Sequence, residues 1–131
     1  MATSTATSSA PLAVASFAQL AEAHWFDGVV FHRVVPGFVA QTGDPRGDGW
    51  GGPGYELPDE DSELPFDLGA VGMARSERDT GGSQWFVTTS PQPHLQGEYT
   101  RFGQVVQGLS VVTHLPQGAV IRAVTLERLD P

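Results

Sequence analysis

Two reactive residue types are missing from this 131-residue sequence, which contains no cysteine and no lysine. Without cysteine, disulfides, thiol nucleophiles and cysteine-ligated zinc are excluded. Without lysine, the sequence has no residue for a P-loop phosphate contact, a Schiff base or a serine–lysine dyad. All seven basic residues are arginines, and the net charge of −8 argues against nucleic acids and anionic membranes as partners.

Long apolar runs are also missing, since none reaches the roughly 20 residues that a membrane-spanning helix needs. The most apolar stretch, residues 10–21, is interrupted by Gln19 and followed by Glu22. No basic residue precedes Arg33, so the positive segment that begins a secretory signal is absent. We therefore expect a soluble cytoplasmic protein.

Glycine and proline are abundant, at 16 and 10 residues, which is typical of short strands joined by tight turns. The length suits one domain, which we assign to residues 10–131. The small polar residues 1–9 are predicted to be a disordered tail.

A surface helix is predicted over residues 10–23 because apolar residues recur there with a helical period. Ser8 or Ser9 is expected to cap this helix, with Pro11 in its first turn. The residues of the apolar face are Val14, Phe17, Ala18 and Ala21.

Short strands account for most of the remaining chain. A short helical turn is predicted at residues 108–114, and the acidic residues 56–63 are predicted to form a solvated loop. Many strands with little helix predict a mainly β protein with a closed or nearly closed antiparallel barrel. The six predicted strands cover residues 29–35, 38–43, 68–73, 84–89, 102–106 and 120–129.

Several familiar motifs are present only in part. Residues 47–54 contain two Gly-x-Gly-x-x-Gly matches, but Pro53 and Pro58 prevent the helix that a dinucleotide site requires. The four histidines form no metal-ligand pair, and the acidic residues 59–61 lack the spacing of a calcium loop. Ser83 lacks the second glycine of a nucleophile elbow, so a Ser-His-Asp hydrolase has little support.

Three polar side chains on predicted strands have a clearer chemical rationale. Arg33 lies in an otherwise apolar strand, Gln41 lies on the returning strand, and Gln84 opens another. Together with nearby apolar residues they would form an apolar pocket rimmed by hydrogen-bond donors, as in small-ligand or peptide sites. The pattern alone leaves open an aromatic core with unrelated polar residues on the surface. The apolar candidates are Phe38, Met73 and Phe86.

Residues 31–44 read FHRVVPGFVAQTGD and resemble the substrate-gripping strand pair of cyclophilin-type peptidyl-prolyl cis-trans isomerases. The resemblance implies a cyclophilin-like antiparallel β-barrel and rotamase activity on X-Pro bonds, which assists protein folding. It implies no cofactor and no metal, and it implies proline-containing peptides and unfolded proteins as partners. The similarity continues, in the same order and spacing, at residues 49–55, 73–74, 80–87, 94–95 and 102–105.

The resemblance also implies roles for individual positions. Arg33 would be the catalytic guanidinium, and Gln41 would act with it by bonding to the substrate backbone. Gln84 would support Arg33, while Ser76 and Thr80 would border the neighbouring pocket. The pocket for the proline ring would be lined by Phe38, Met73, Phe86 and Leu95. The full set of implied substrate-binding residues is Phe38, Val39, Met73, Ala74, Arg75, Ser76, Gln84, Phe86, His94, Leu95 and Tyr99.

Four side chains depart from the best-known family members. His94 stands where cyclosporin-sensitive members carry tryptophan, so we expect weak cyclosporin binding. Arg75 stands where asparagine is common, and this change should be tolerated because the implied contact is through the backbone. Val39 replaces a longer residue, and Tyr99 stands where many members carry histidine.

The larger departure is at the N-terminus, because only residues 1–9 precede the first helix. The first two of the family's usual eight strands are therefore predicted to be missing. The favoured explanation is a start codon further upstream. The alternatives are a barrel completed by oligomerisation or by a partner, and a degenerate paralogue of low stability.

Two other classes of function remain open from the sequence. One is a binding module that holds proline-containing segments without rotating them. The other is a hydrolase that uses Ser83 with a histidine. The isomerase interpretation is preferred because it accounts for most of the chain.

Overall fold

An antiparallel sheet of six strands dominates the computed structural model, which describes residues 2–127. The strands lie in the order β1-β6-β4-β5-β3-β2. The predicted mainly β class is confirmed, although between residues 2 and 127 no ladder joins β1 to β2, so the barrel is not closed. The elements are β1 (Thr3–Ala6), α1 (Pro11–Glu22), β2 (Arg33–Val35), β3 (Val39–Thr42), β4 (Ala70–Met73), β5 (Trp85–Thr88), a 3₁₀ turn (Pro93–Leu95), β6 (Arg101–Gln107) and α2 (Leu109–Thr113).

Strand β1 corrects the prediction that residues 1–9 are a disordered tail. Residues 3–6 pair with β6, from Thr3 opposite Gln107 to Ala6 opposite Gly103. The pairing extends one residue further, because the Thr7 N–H donates to the Phe102 carbonyl at 2.8 Å. Threonine favours extended backbone even in a polar segment. The small polar composition of residues 1–9 did not reveal that residues 3–6 form a strand. One strand therefore precedes α1, where none was expected.

The last predicted strand, residues 120–129, is wrong over most of its described length. Val120 forms only an isolated bridge with Val30, and residues 121–127 are not in a strand. The Ile121 N–H donates to the Val29 carbonyl at 2.9 Å, so the segment pairs with residues near β2 on one side. Residues 128 and 129 lie outside the described part of the chain.

Helix α1 confirms the helical periodicity but not the predicted cap. Its N-cap is Ala10, and neither Ser8 nor Ser9 provides a side-chain cap. The Glu60 carboxylate instead accepts hydrogen bonds from the Leu12 and Ala13 N–H groups, at 3.0 and 2.8 Å. Because these N–H groups have no partner within the helix, an acidic side chain from a distant loop caps it. Glu60 is thus structural rather than merely solvated.

The sheet carries a separate apolar cluster on each face, because side chains alternate along a strand. Between β4 and β5, Val71 lies opposite Val87 and Gly72 lies opposite Phe86. The helix-side cluster consists of Ala10, Ala13, Val71, Met73, Val87, Phe102, Val105 and Val112. The outer cluster consists of Val39, Phe66, Ala70, Phe86 and Leu95.

Among residues 2–127, neither helix has the length and the apolar composition needed to cross a membrane.

Candidate active site

Three strands bring Arg33, Gln41 and Phe86 side by side on the face of the outer cluster. The register pairs Arg33 with Gln41 across β2 and β3, and Gln41 with Phe86 across β3 and β5. Residues directly opposite one another in an antiparallel sheet point to the same face with Cβ atoms about 4.5–5.5 Å apart. The sheet thus places a guanidinium, an amide and an aromatic ring in one row.

A chain of hydrogen bonds fixes the polar part of this row. The Arg33 Nη1 donates to Gln41 Oε1 at 3.4 Å, and the Gln41 Nε2 donates to Gln84 Oε1 at 3.1 Å. The Gln84 Nε2 in turn donates to the carbonyls of Gly49 and Gly51, at 2.9 and 3.1 Å. The long bond at Arg33 holds the guanidinium weakly, so most of its donors are available to another partner.

A pocket of about 130 Å³, lined by both polar and apolar residues, opens beside the row. The Phe86 and Leu95 side chains are buried, and Tyr99 meets Phe86 edge-on with ring centroids 5.9 Å apart. The Arg33 guanidinium carbon lies 5.8 Å from the centre of the Phe38 ring. The residues lining the pocket are Arg33, Phe38, Val39, Gln41, Ala74, Arg75, Phe86, Leu95 and Tyr99.

The structure brings together most of the candidate residues but places Met73 elsewhere. Ser76 and Gln84 line an adjoining groove, and His94 stacks on Phe38 with ring centroids 6.1 Å apart. Met73 lies in the helix-side cluster, so its assignment to the proline pocket is wrong. Strand alternation is the reason, because Met73 follows Gly72 and therefore points to the opposite face.

Gly72 lies beneath the Phe86 wall of the pocket, and it was not among the residues predicted from the sequence. A Cβ at this position would lie 2.5 Å from the Phe86 ring and 2.8 Å from the Phe66 ring. Phe66 stacks on Phe86 with centroids 5.8 Å apart, so the two rings occupy the space above the glycine. A glycine inside a predicted strand is a signal of close approach that could have identified it.

Two further residues hold the turn before Phe38, and the sequence analysis missed both. The Gly37 carbonyl accepts hydrogen bonds from Ser90 Oγ at 2.6 Å and from Gln92 Nε2 at 3.0 Å. The Gln92 side chain is buried and also donates to Ser90 Oγ at 2.8 Å. These bonds position the aromatic wall of the pocket.

Asp44 organises the glycine-rich loop that borders the adjoining groove. Its carboxylate accepts hydrogen bonds from the backbone N–H groups of Arg46, Asp48 and Gly49, at 2.8, 3.0 and 2.6 Å. Burial raises the pKa of Asp44, but these backbone donors outweigh that effect and leave the pKa below the ordinary aspartate value of 3.8. The loop serves as a scaffold for Gln84.

The hydrolase alternative finds no support at Ser83. Its side chain is buried and its hydroxyl donates to the Gly43 carbonyl at 2.6 Å. A hydroxyl used in this way is inaccessible to a substrate. Within residues 2–127, no three acidic or histidine side chains are grouped to hold a metal ion.

Comparison with known sequences identifies the family. Residues 4–129 match the model of the cyclophilin type peptidyl-prolyl cis-trans isomerase/CLD family. Peptidyl-prolyl cis-trans isomerase B of Bacillus subtilis is 47% identical over 120 residues, which cover 90% of this chain and 84% of that protein. A peptidyl-prolyl cis-trans isomerase of Synechococcus elongatus is 46% identical over 119 residues, covering 89% of this chain and 82% of that protein.

Solved structures agree with this result. The crystal structure of a cyclophilin-type peptidyl-prolyl cis-trans isomerase of Cryptosporidium parvum, determined in the presence of the dipeptide Ala-Pro, superposes with a TM-score of 0.89. It is 30% identical in sequence, and the match covers 98% of this chain and 93% of that one. The chain therefore belongs to the cyclophilin-type peptidyl-prolyl cis-trans isomerases, enzymes that accelerate rotation about X-Pro peptide bonds.

Proposed function

We propose that Arg33 is the catalytic group of this isomerase and that the pocket beside it holds the substrate proline ring. The observation that carries the proposal is the row formed by Arg33, Gln41 and Phe86, in which a charged donor adjoins a buried aromatic surface. Phe38 and Leu95 complete the apolar lining around the ring. The Ala-Pro dipeptide named for the Cryptosporidium parvum structure is a ligand of the kind this pocket would accept.

The chemistry follows from the electronic structure of the X-Pro bond. Rotation is resisted because the nitrogen lone pair is delocalised into the carbonyl, which gives a barrier of about 18–20 kcal/mol. At a twist near 90° the lone pair is localised on the nitrogen and can accept a hydrogen bond. A guanidinium donor aimed at that nitrogen binds the twisted state better than either planar state. Arg33 would supply this donor without any transfer of a proton.

The remaining polar groups would hold the substrate on either side of the rotating bond. Gln41 would bond to the substrate backbone, because its amide is already oriented by Gln84. Ala74 and the backbone of Arg75 would pair with the peptide along the opposite wall of the pocket. Val39, His94 and Tyr99 would extend the contact surface. Rate acceleration by roughly 10⁶ would require about 8 kcal/mol of differential stabilisation of the twisted state.

The substrates we propose are proline-containing segments of unfolded proteins in the cytoplasm. Uncatalysed X-Pro isomerisation takes tens of seconds or longer, and it therefore limits the folding of many chains. The groove lined by Ser76 and Thr80 would accept the residue that precedes the X-Pro pair. Cyclosporin binding should be weak because His94, an exposed imidazole, replaces a larger indole at the pocket rim.

The test is an NMR exchange measurement on a short X-Pro peptide mixed with the purified chain. The parent should accelerate cis-trans exchange, and Arg33→Ala should reduce kcat/KM by about 10²-fold or more, the scale of losing one transition-state donor. Arg122→Ala is the matched control, because this exposed arginine does not line the pocket. A parent that binds the peptide without accelerating exchange would be a binding module, and undiminished activity in Arg33→Ala would exclude the proposed role.

A further inference from the structure

The side chain of Arg75 is almost fully enclosed at the edge of the proline pocket. It is 11% exposed, and its guanidinium carbon lies 4.5 Å from the centre of the Tyr99 ring. The sequence comparison implied a contact through the Arg75 backbone only. The position of the guanidinium gives this side chain a separate role.

Two groups, the Glu98 carbonyl and the Asp59 carboxylate, hold the Arg75 guanidinium against the ring. Its Nε and Nη2 both donate to the Glu98 carbonyl, with the Nε contact at 3.2 Å. Its Nε also lies 3.5 Å from Asp59 Oδ2, a buried carboxylate oxygen with no hydrogen-bond donor among the described residues. Asp59 is itself fixed, because its Oδ1 accepts a hydrogen bond from the Asp79 N–H at 3.2 Å. Contacts with two different loops, which carry Asp59 and Glu98, therefore restrain the guanidinium.

The ring that Arg75 covers forms one wall of the proline pocket. Tyr99 packs edge-on against Phe86, and its backbone N–H donates to the Leu95 carbonyl at 3.2 Å. A cation over an aromatic face contributes more when it is desolvated, as it is here. Arg75 thus links a partly buried ion pair with Asp59 to the position of an aromatic wall.

We propose that Arg75 is a positioning residue that fixes the Tyr99 wall and so sets the affinity of the pocket for the proline ring. The inference rests on the proposed use of this pocket for proline. Because Tyr99 would contact the ring in both planar and twisted states of the substrate, its displacement weakens binding without affecting the rotation step. We therefore expect substitution of Arg75 to change KM and to leave kcat unchanged.

The central experiment compares Arg75→Ala with the parent on a short X-Pro peptide. KM should rise roughly threefold to tenfold, in line with loss of a partly desolvated cation–π contact, while kcat stays unchanged. Arg78→Ala is the matched control, because Arg78 contacts Asp59 and Glu98 but does not line the pocket. Its KM should equal that of the parent.

A double-mutant cycle with Tyr99→Leu tests whether Arg75 acts through the ring. In the Tyr99→Leu background, Arg75→Ala should no longer raise KM. An undiminished rise, or a fall in kcat equal to the change in kcat/KM, would overturn the proposal. The chain has two tyrosines, so spectra of labelled tyrosine report directly on Tyr99 once Tyr55→Phe assigns the other.

A second variant and a binding titration cover the cases in which Arg75→Ala does not fold or the parent shows no turnover. If Arg75→Ala does not fold, Asp59→Asn removes the charge partner and leaves Arg75 in place, and it should give a smaller rise in KM with a shifted Tyr99 signal. If the parent shows no turnover, the same comparison is made on the Kd of the peptide by NMR titration. Failure of the catalytic proposal is then distinguished from failure of the positioning proposal, because the Kd depends on the pocket alone.

Discussion

Gly72 lies beneath the Phe86 ring at a distance that excludes even a methyl group. A Cβ would meet the Phe86 ring at 2.5 Å, so Gly72→Ala forces two packed aromatic rings to move. We expect a loss of stability of about 1–3 kcal/mol, the usual range for overpacking a core. We also expect the KM for an X-Pro peptide to rise, because the Phe86 ring that must move lines the pocket. Urea unfolding and NMR exchange measure the two effects.

Gly52 offers the matched control for this substitution. A Cβ at Gly52 has no neighbour within 4 Å, and its backbone is not in the left-handed region. Gly52→Ala should change the free energy of unfolding by less than about 0.5 kcal/mol. Equal effects of the two alanine substitutions would show that contact with Phe86 is not the cause.

The grouping of some residues could be predicted from the sequence, whereas their orientation could not. Arg33 and Gln41 were predicted to act together because a motif links them, and the register pairs them across β2 and β3, while their roles stay predictions. Met73 was misplaced because a predicted strand with an uncertain boundary does not reveal which face each residue takes. Gln92 could not be found at all, since its contact with the Gly37 carbonyl spans 55 residues.

At the scale of elements, helix α1 depends on a carboxylate outside it. Glu60 accepts the N–H groups of Leu12 and Ala13, and no residue adjoining the helix provides a side-chain cap. Glu60→Gln keeps the shape but removes the charge and one of the two acceptors. We expect the free energy of unfolding to fall by about 0.5–2 kcal/mol, the range for loss of a helix cap. Urea denaturation followed by circular dichroism is the measurement.

Glu77→Gln is the control for the Glu60 substitution. Glu77 has an exposed side chain in the loop after β4, and only its backbone takes part in the hydrogen bonds found there. Its neutralisation should leave the unfolding free energy within about 0.5 kcal/mol of the parent value. If both variants lose equal stability, the change reflects net charge and not capping.

Elements whose pattern is local were predicted well, and elements that depend on distant partners were not. The period of Val14, Phe17 and Ala21 was sufficient to predict α1. Strand β1 has a polar sequence, and it forms because β6 presents an edge for it to pair with. Residues 121–127 have a strand-like sequence but pair on one side only near Val29, and no regular strand develops.

For the molecule as a whole, Asp44 contributes to stability in acid. Its pKa is lower in the folded chain than in the unfolded chain, so the unfolded chain binds more protons as the pH falls. The contribution is complete above the ordinary value of 3.8 and is lost as the pH drops through the lower folded pKa. Asp44→Asn should therefore be less stable than the parent near neutral pH, and the difference should shrink below the ordinary value.

Unfolding free energies measured by urea across this acid range test the prediction. Asp48→Asn serves as the control, because Asp48 is an exposed carboxylate of the same loop that accepts one N–H, from Trp50 at 2.9 Å. Near neutral pH, Asp48→Asn should lose less stability than Asp44→Asn, because Asp48 accepts one backbone N–H and Asp44 accepts three. A curve for Asp44→Asn that runs parallel to that of the parent would contradict the assignment of acid stability to Asp44.

The pairing of β1 with β6 has a consequence for synthesis on the ribosome. Strand β1 ends at Ala6, whereas its partner begins at Arg101, so β1 must wait for β6 to be synthesised before it can pair. A waiting apolar strand would invite association with other nascent chains. Here the waiting residues are threonine, serine and alanine, which remain well solvated. Among the described strands, β1 has no pairing partner until β6 has been made, and its polar composition suits that delay.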